Sequence, residues 1–278
     1  MAFRPEGGRA LYLLGDPPAS DHETVVVSNT DDCGVGSLRS DIEQANASAT
    51  TNRIDFNIPC SGVHTISLQS ELPTITAAVE IDGWSQPGFA GMPLIELDGS
   101  ATTGANGLHV TSGGSVIQGL VINRFDDWAI LLQDGDANRV SGNFIGTNAA
   151  GTATLNNSKS GIMVQLGSSL NIIGTDSDGV NDAWERNLIS GNDFDGIAIQ
   201  GNGTSGNVVA GNLIGTNLAG TDALGGNHFG VLIGDGATGT RVGTSGDGVR
   251  DEAERHVISG NSWHEGVADG DTSCPECD

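Results

Sequence analysis

The sequence predicts an all-β fold, a single-stranded parallel β-helix closed at its start by a short helix. Three observations predict it. A block of sequence recurs at an offset of 69 residues: VSGNFIGTN at 140–148 returns as VAGNLIGTN at 209–217, and 12 of the 19 positions of 174–192 are identical in 243–261. Repetition on that scale marks a solenoid, in which each unit buries its apolar face against the next. Within the block, half-units open on one small apolar phrase, Gly161-Ile-Met-Val, Gly196-Ile-Ala-Ile and Gly230-Val-Leu-Ile, with Asp127-Trp-Ala-Ile and Gly107-Leu-His-Val in the earlier slots. The undecorated unit beginning at Gly107 reads as three short strands, each alternating inward and outward residues. Extra residues enter at two alternating places, 147–160 and 216–229 after the third strand, and 175–186 and 244–255 between the second and third. Loops grow at turns, because an insertion inside a packed strand would flip its faces.

Taken in order, residues 1–23 read as a leader whose apolar stretch at 10–15 is short for a signal peptide. The segment 37–46 predicts a helix, with Ser37 as N-cap and Leu38, Ile42 and Ala45 on one face. An amphipathic helix there suits a cap over the open end of a core. Alternation then marks strands at 53–58, 64–68, 78–82 and 94–98. The β-helix is expected over 24–265, with 266–278 as the start of a further coil and an uncapped tail. Glycine, 43 of 278 residues, and asparagine supply the turns. Asn123, Asn192 and Asn261 read as one register, where stacked amides would bond from coil to coil. Coils stack at about 4.8 Å, so like insertions should recur about every 10 Å along one edge.

The charge is lopsided, 35 acids against 11 bases, for a net −24. That argues against nucleic acid and anionic lipid as partners, because phosphate binding depends on Lys and Arg. Bound divalent cations or high salt would offset the self-repulsion. No apolar run approaches the ~18 residues of a membrane span.

The phrases Gly36-Ser-Leu-Arg39, Leu72-Pro-Thr-Ile75, Ile81-Asp-Gly83, Leu94-Ile-Glu-Leu-Asp-Gly99 and the two Ile-Ser-Gly-Asn turns resemble bacterial right-handed parallel β-helix repeat proteins of the pectin-lyase-like superfamily. The resemblance covers about 24–265 and implies right-handed coiling and export or cell-surface display. Its members include lyases, hydrolases and adhesins, so function has to come from the site.

Enzymes of that kind work from carboxylates, or from calcium and a basic residue, on the outer face of one sheet. Here the outward positions of the Gly-Ile-Ala-Ile strand read as His109, Ala129, Met163, Gln165, Ala198, Gln200 and Leu232, none of them an acid. A glycosidase needs two carboxyl groups ~5–9 Å apart. The exception is Glu80, Asp82, Glu96 and Asp98, which would crowd one outer patch if their strands were stacked, as an acid pair, a calcium site or plain Asp-Gly turns. A second candidate is the insertion at 174–186. Placing Gly179 sixth in an EF-hand-like loop gives Asp176, Asp178, the Val180 carbonyl, Asp182 and Glu185 as calcium ligands, although Gly174 stands where an Asp is usual. Its copy keeps Asp247, Asp251 and Glu254. The alternative for both is a solvated turn.

Phe125, Phe194 and Trp263 share a register, with Phe229 in an intervening coil, as a sugar-binding stripe outside or an aromatic ladder inside. Cys33 and Cys60 are either a disulfide, worth roughly 3.5 kcal/mol of chain entropy, or two buried thiols. Cys274-Pro-Glu-Cys277 is a lone CxxC without the further ligands of a zinc site. The expectation is a non-enzymatic extracellular or cell-surface β-helix whose edge loops bind a polysaccharide or another surface protein, with calcium as candidate cofactor. The alternatives are a polysaccharide lyase or glycoside hydrolase acting through Glu80, Asp82, Glu96 and Asp98, and a structural spacer of a larger surface protein.

Overall fold

The structure, a computed structural model, describes residues 23–48, 52–246, 248–262 and 264–269. The chain enters at β1 (Glu23–Val27), turns through α1 (Leu38–Ala47) and returns as β2 (Asn52–Phe56) and β3 (His64–Ser67). Three strands per coil follow: β4 (Val79–Asp82), β5 (Ile95–Asp98) and β6 (Leu108–Val110), then β7 (Val116–Gln118), β8 (Leu120–Asn123) and β9 (Ile130–Gln133). The next coils are β10 (Arg139–Ser141), β11 (Phe144–Ile145) and β12 (Ile162–Gln165), and β13 (Ile172–Gly174), β14 (Leu188–Ile189) and β15 (Ile197–Gln200). The last are β16 (Val208–Ala210), β17 (Leu213–Ile214) and β18 (Phe229–Gly234), and β19 (Arg241–Val242), β20 (Val257–Ile258) and β21 (His264–Asp269).

From β4 onward, every third strand returns to the same sheet. Sheet A runs β1-β2-β4-β7-β10-β13-β16-β19, sheet B runs β3-β5-β8-β11-β14-β17-β20, and sheet C runs β6-β9-β12-β15-β18-β21. All the pairings are parallel, and the architecture is the expected right-handed parallel β-helix. Register puts identical chemistry in columns. Ile81, Ile117, Val140, Ile173 and Val209 stack inside sheet A, and Leu97, Ile122, Ile145, Ile189 and Ile214 inside sheet B, all buried. In the coil of β10, β11 and β12, Val140, Ile145, Ile162 and Val164 suffice to fill so narrow a core, which is why the strands need be only a few residues long. At the start, the Ser37 side chain caps α1 by accepting from the Ser40 N–H, and Leu38, Ile42 and Ala45 are buried in the same core as Val27 and Ile54.

Asparagine ladders hold all three corners. Between sheets B and C, the Phe125 N–H donates to Asn157 Oδ1, and the ladder continues through Asn192, Asn227 and Asn261 at 2.9–3.1 Å. Between A and B it runs Leu120, Asn143, Asn187, Asn212, and between C and A it runs Ser115, Asn138, Asn171, Asn207. Asn192 and Asn261 thus share a register as expected, but Asn123 does not. It ends β8 opposite Asp98, and Phe125 takes the ladder position. The two-residue offset also displaces the aromatic register: Phe125 is fully buried, whereas Phe194 is 51% exposed and packs against the His228 ring. Neither a continuous stripe nor a continuous ladder forms, and Trp263 lies outside the described residues.

His256 stands in the repeat where the preceding block has Asn187, and it makes the same two bonds. Asn187 accepts from the Asn143 N–H and donates to the Val140 carbonyl. His256 Nδ1 accepts from the Asn212 N–H and Nε2 lies 3.0 Å from the Val209 carbonyl, which requires the neutral Nε2–H tautomer. Burial lowers its pKa, as neutrality demands.

The insertions at 147–160 and 216–229 are packed flaps. Thr147 bridges Thr154 and Thr216 bridges Ala223, each closing a small antiparallel loop. The flaps cover an apolar column on the outer face of sheet B, Val121, Phe144, Leu188 and Leu213, with Ala149, Leu218 and Val257 packed against it. The flaps also touch each other, the Leu218 N–H donating to the Gly151 carbonyl. Gly151, at φ +63°, has to be glycine there, since a Cβ would sit 2.7 Å from Leu188 and 2.9 Å from Leu218.

Candidate functional site

The insertion at 175–186 leaves β13 at the A–B corner and is built from side chains that bond their own backbone. Asp176 Oδ1 accepts from the Asp178 N–H, Asp178 Oδ1 from Val180, and Asp182 Oδ1 from Gly179. Such turns are what short acidic side chains do where no ladder partner exists. One helical turn follows, with the Trp184 and Glu185 N–H groups on the Asn181 carbonyl. That turn swings Glu185 back, so that its Oε2 accepts from the Asp176 N–H at 3.2 Å. Asp176, Asp178, Asp182 and Glu185 then each place one carboxylate oxygen within 4.8 Å of the others, an arrangement that could hold a metal ion. Val180, at the tip, is exposed and contributes its N–H to Asp178.

Two arginines reach this cluster from neighbouring coils. Arg139, on the outer face of β10, pairs with Asp176 and Glu185. Arg250, from the second acidic insertion, lies 3.3 Å from Asp182, its guanidinium where a Cβ on Gly179 would be. Four carboxylates against two guanidiniums leave two negative charges, which one divalent cation would balance. Burial raises the Glu185 pKa and Asp176 adds to the rise, against the pull of Arg139. A cation that favoured the ionised form would oppose that burial.

The second insertion repeats part of this. Glu254 is buried, accepts from the Ser245 N–H and pairs with Arg241 at 3.2 Å, as Glu185 does with Asp176 and Arg139. Asp251 is half-buried, and its Oδ1 has no hydrogen-bond partner among the described residues. Asp247 lies outside those residues, and among them no metal-type cluster forms in this copy.

The strand carboxylates are arranged otherwise than the sequence suggested. Glu80 and Asp82 lie on sheet A, Glu96 and Asp98 on sheet B, so the four do not share a patch. Consecutive strands of a three-sheet coil face different directions, and only every third one is a stacking neighbour. Each pair is neutralised separately. Arg53 holds Glu80, Asp82 and Asp55. Arg124 lies 3.0 Å from Asp98 and 3.5 Å from Glu96, and Thr65 donates to Glu96 at 2.6 Å.

On sheet C the outer row is His109, Leu131, Met163, Ala198 and Leu232, with Gln133 beside Gln165 on β9 and β12 and Gln200 at the end of β15. Leu131, not Ala129, holds the place beside Met163, because Asp127-Trp-Ala-Ile enters its coil two residues early. None of these is an acid. Trp128 packs against Leu131, Met163 and Ala198, with the Lys159 ammonium 3.9 Å over its ring.

Cys33 and Cys60 are unpaired, and both are exposed, in separate surface turns, rather than bonded or buried. Cys274 and Cys277 lie outside the described residues. Sequence reasoning missed the Trp84, Phe89 and Trp184 cluster, whose rings lie 5.6–6.4 Å apart and tie the acidic insertion to the corner after β4. It also missed Arg139 and Arg250, whose contacts span coils.

No protein-family model matches this chain, and no curated protein is significantly similar to it.

Proposed function

We propose that this chain is a non-catalytic member of the pectin-lyase-like β-helix superfamily, displayed outside the cell, whose edge loops bind glycan or a neighbouring surface. In this reading calcium binds Asp176, Asp178, Asp182 and Glu185 and rigidifies the insertion. The observation that carries the reading is where the acids are. The strand carboxylates that would do acid–base chemistry are tied to Arg53 and Arg124, while a cluster with uncompensated charge sits on a protruding loop. A hydrolase needs one carboxyl group protonated and its partner free. Here both members of each pair are engaged by one guanidinium, Arg53 or Arg124.

The test is incubation with acidic and neutral polysaccharides in the presence of calcium, reading new reducing ends and retention on the same polymers. Retention without product supports the reading. New reducing ends would overturn it and direct single substitutions to Glu80, Asp82, Glu96 and Asp98. Neither product nor retention leaves the spacer role.

A further inference from the structure

We propose that the cleft between the two acidic insertions is a binding site for a neutral carbohydrate, an inference that rests on the glycan-binding reading above. The cleft is open to solvent, has a volume of about 400 Å³ and is lined by Asp182, Ala183 and Arg186 of the first insertion and Arg250, Glu252 and Ala253 of the second. Small-molecule sites run from about 300 to 1,000 Å³, so this one fits a sugar residue or two rather than a folded partner.

The lining selects the ligand class. Two guanidiniums face two carboxylates, so a ligand with net charge finds no unanswered counter-charge, and the chain's net −24 repels polyanions. What the lining offers instead is donors beside acceptors. Guanidinium N–H groups only donate and carboxylate oxygens only accept. Vicinal hydroxyls of a sugar use both at once.

The polar groups are also placed to bind. The Arg186 Nε–H is anchored on the Gly211 carbonyl, which fixes that guanidinium. Arg250 is nearly half exposed, lies against Gly179 and makes one ion pair among the described residues, 3.3 Å to Asp182, which leaves guanidinium N–H groups for a ligand. Glu252 is exposed and makes no hydrogen bond or ion pair among the described residues. Ala183 and Ala253 provide short apolar walls for C–H faces. Trp184, next in the chain to Ala183, is 46% exposed.

Binding of the whole chain to soluble mannan, galactan and β-glucan, and to polygalacturonate, measured by affinity electrophoresis in low salt with calcium, tests this. The expected result is retardation by a neutral polymer and none by polygalacturonate. Arg250→Ala and Glu252→Gln should each weaken that binding about tenfold, ~1.4 kcal/mol. Glu252→Gln should leave the melting temperature unchanged, because the side chain has no partner to lose among the described residues. Unchanged neutral binding in both variants overturns the cleft while leaving glycan binding in place. Preference for polygalacturonate overturns the ligand class. No retardation of the wild type by any polymer overturns the glycan-binding reading and the cleft with it.

Discussion

Asn187→Ala removes one rung of the A–B corner ladder, and its cost can be worked from the bonds it breaks. The side chain is fully buried. Its Oδ1 accepts from the Asn143 N–H at 3.0 Å and from Asn143 Nδ2 at 3.2 Å, and its Nδ2 donates at 2.9 Å to the Val140 carbonyl and to Asn212 Oδ1. Two of those partners keep another contact, Asn143 Nδ2 on the Ile117 carbonyl and Asn212 Oδ1 on the Asn187 N–H. The Asn143 N–H loses its acceptor outright. A buried unsatisfied donor costs about 1–3 kcal/mol and each ordinary bond contributes about 1 kcal/mol net, so the change should cost about 4 kcal/mol. For a chain this long, 1 kcal/mol shifts the melting temperature by about 2 °C, giving a fall of about 8 °C. Asn156→Ala is the control, since Asn156 is exposed and its side chain donates only to Asp193 among the described residues. Thermal melts followed by circular dichroism compare the two. A fall below about 2 °C for Asn187→Ala, or equal falls in both variants, refutes the view that the corner ladders hold the coils together.

Three further outcomes follow from the same geometry. If the Asp176–Glu185 cluster takes calcium, removing the ion from protein held at a hundredfold excess over Kd costs about 2.7 kcal/mol, and Asp178→Ala abolishes the difference; a melt insensitive to chelator in low salt refutes calcium. His256 has its pKa lowered by burial, so the unfolded chain binds the proton more tightly. Its contribution is complete above the ordinary value of 6.5 and is lost as pH falls from there toward the lowered folded value. His256→Asn, which restores the residue of the preceding block, should flatten that part of the stability profile, and parallel profiles for variant and wild type would count against it. Leu188→Ala empties the column beneath the flaps and should cost about 3 kcal/mol, read by urea unfolding; a loss near zero would mean the flaps are not packed.

Much of the fold was legible because a solenoid writes its packing into the period. Once Ile189 and Ile258 share a register, sheet B follows, and α1 was readable from Ser37 and its apolar face. The strand carboxylates were misread because alternation says which way Glu80 and Glu96 point within their strands but not that consecutive strands face different directions. The aromatic register failed for a related reason. Phe125 and Phe194 match by distance from an Asn, but Asn123 and Asn192 are not equivalent, and the two-residue slip shows only in strand register and in the bond from the Phe125 N–H to Asn157. The Asp176–Glu185 cluster was legible because its geometry is local, made by turns of two and three residues. The arginines that answer it were not, since Arg139 and Arg250 reach it from other coils.

The corner ladders have a direction. Each rung of Asn143, Asn157, Asn187 and Asn227 sends one amide N–H to the side-chain oxygen of the rung one coil on and the other back to a backbone carbonyl of the coil before. The two faces of a coil are therefore unlike, one presenting side-chain amide oxygens and an amide N–H, the other corner N–H groups and a backbone carbonyl. A coil turned over would lose the match of donor to acceptor at all three corners. A block copied in the same orientation meets its neighbours as the original did, so duplication by 69 residues lengthens the structure without redesigning a single junction.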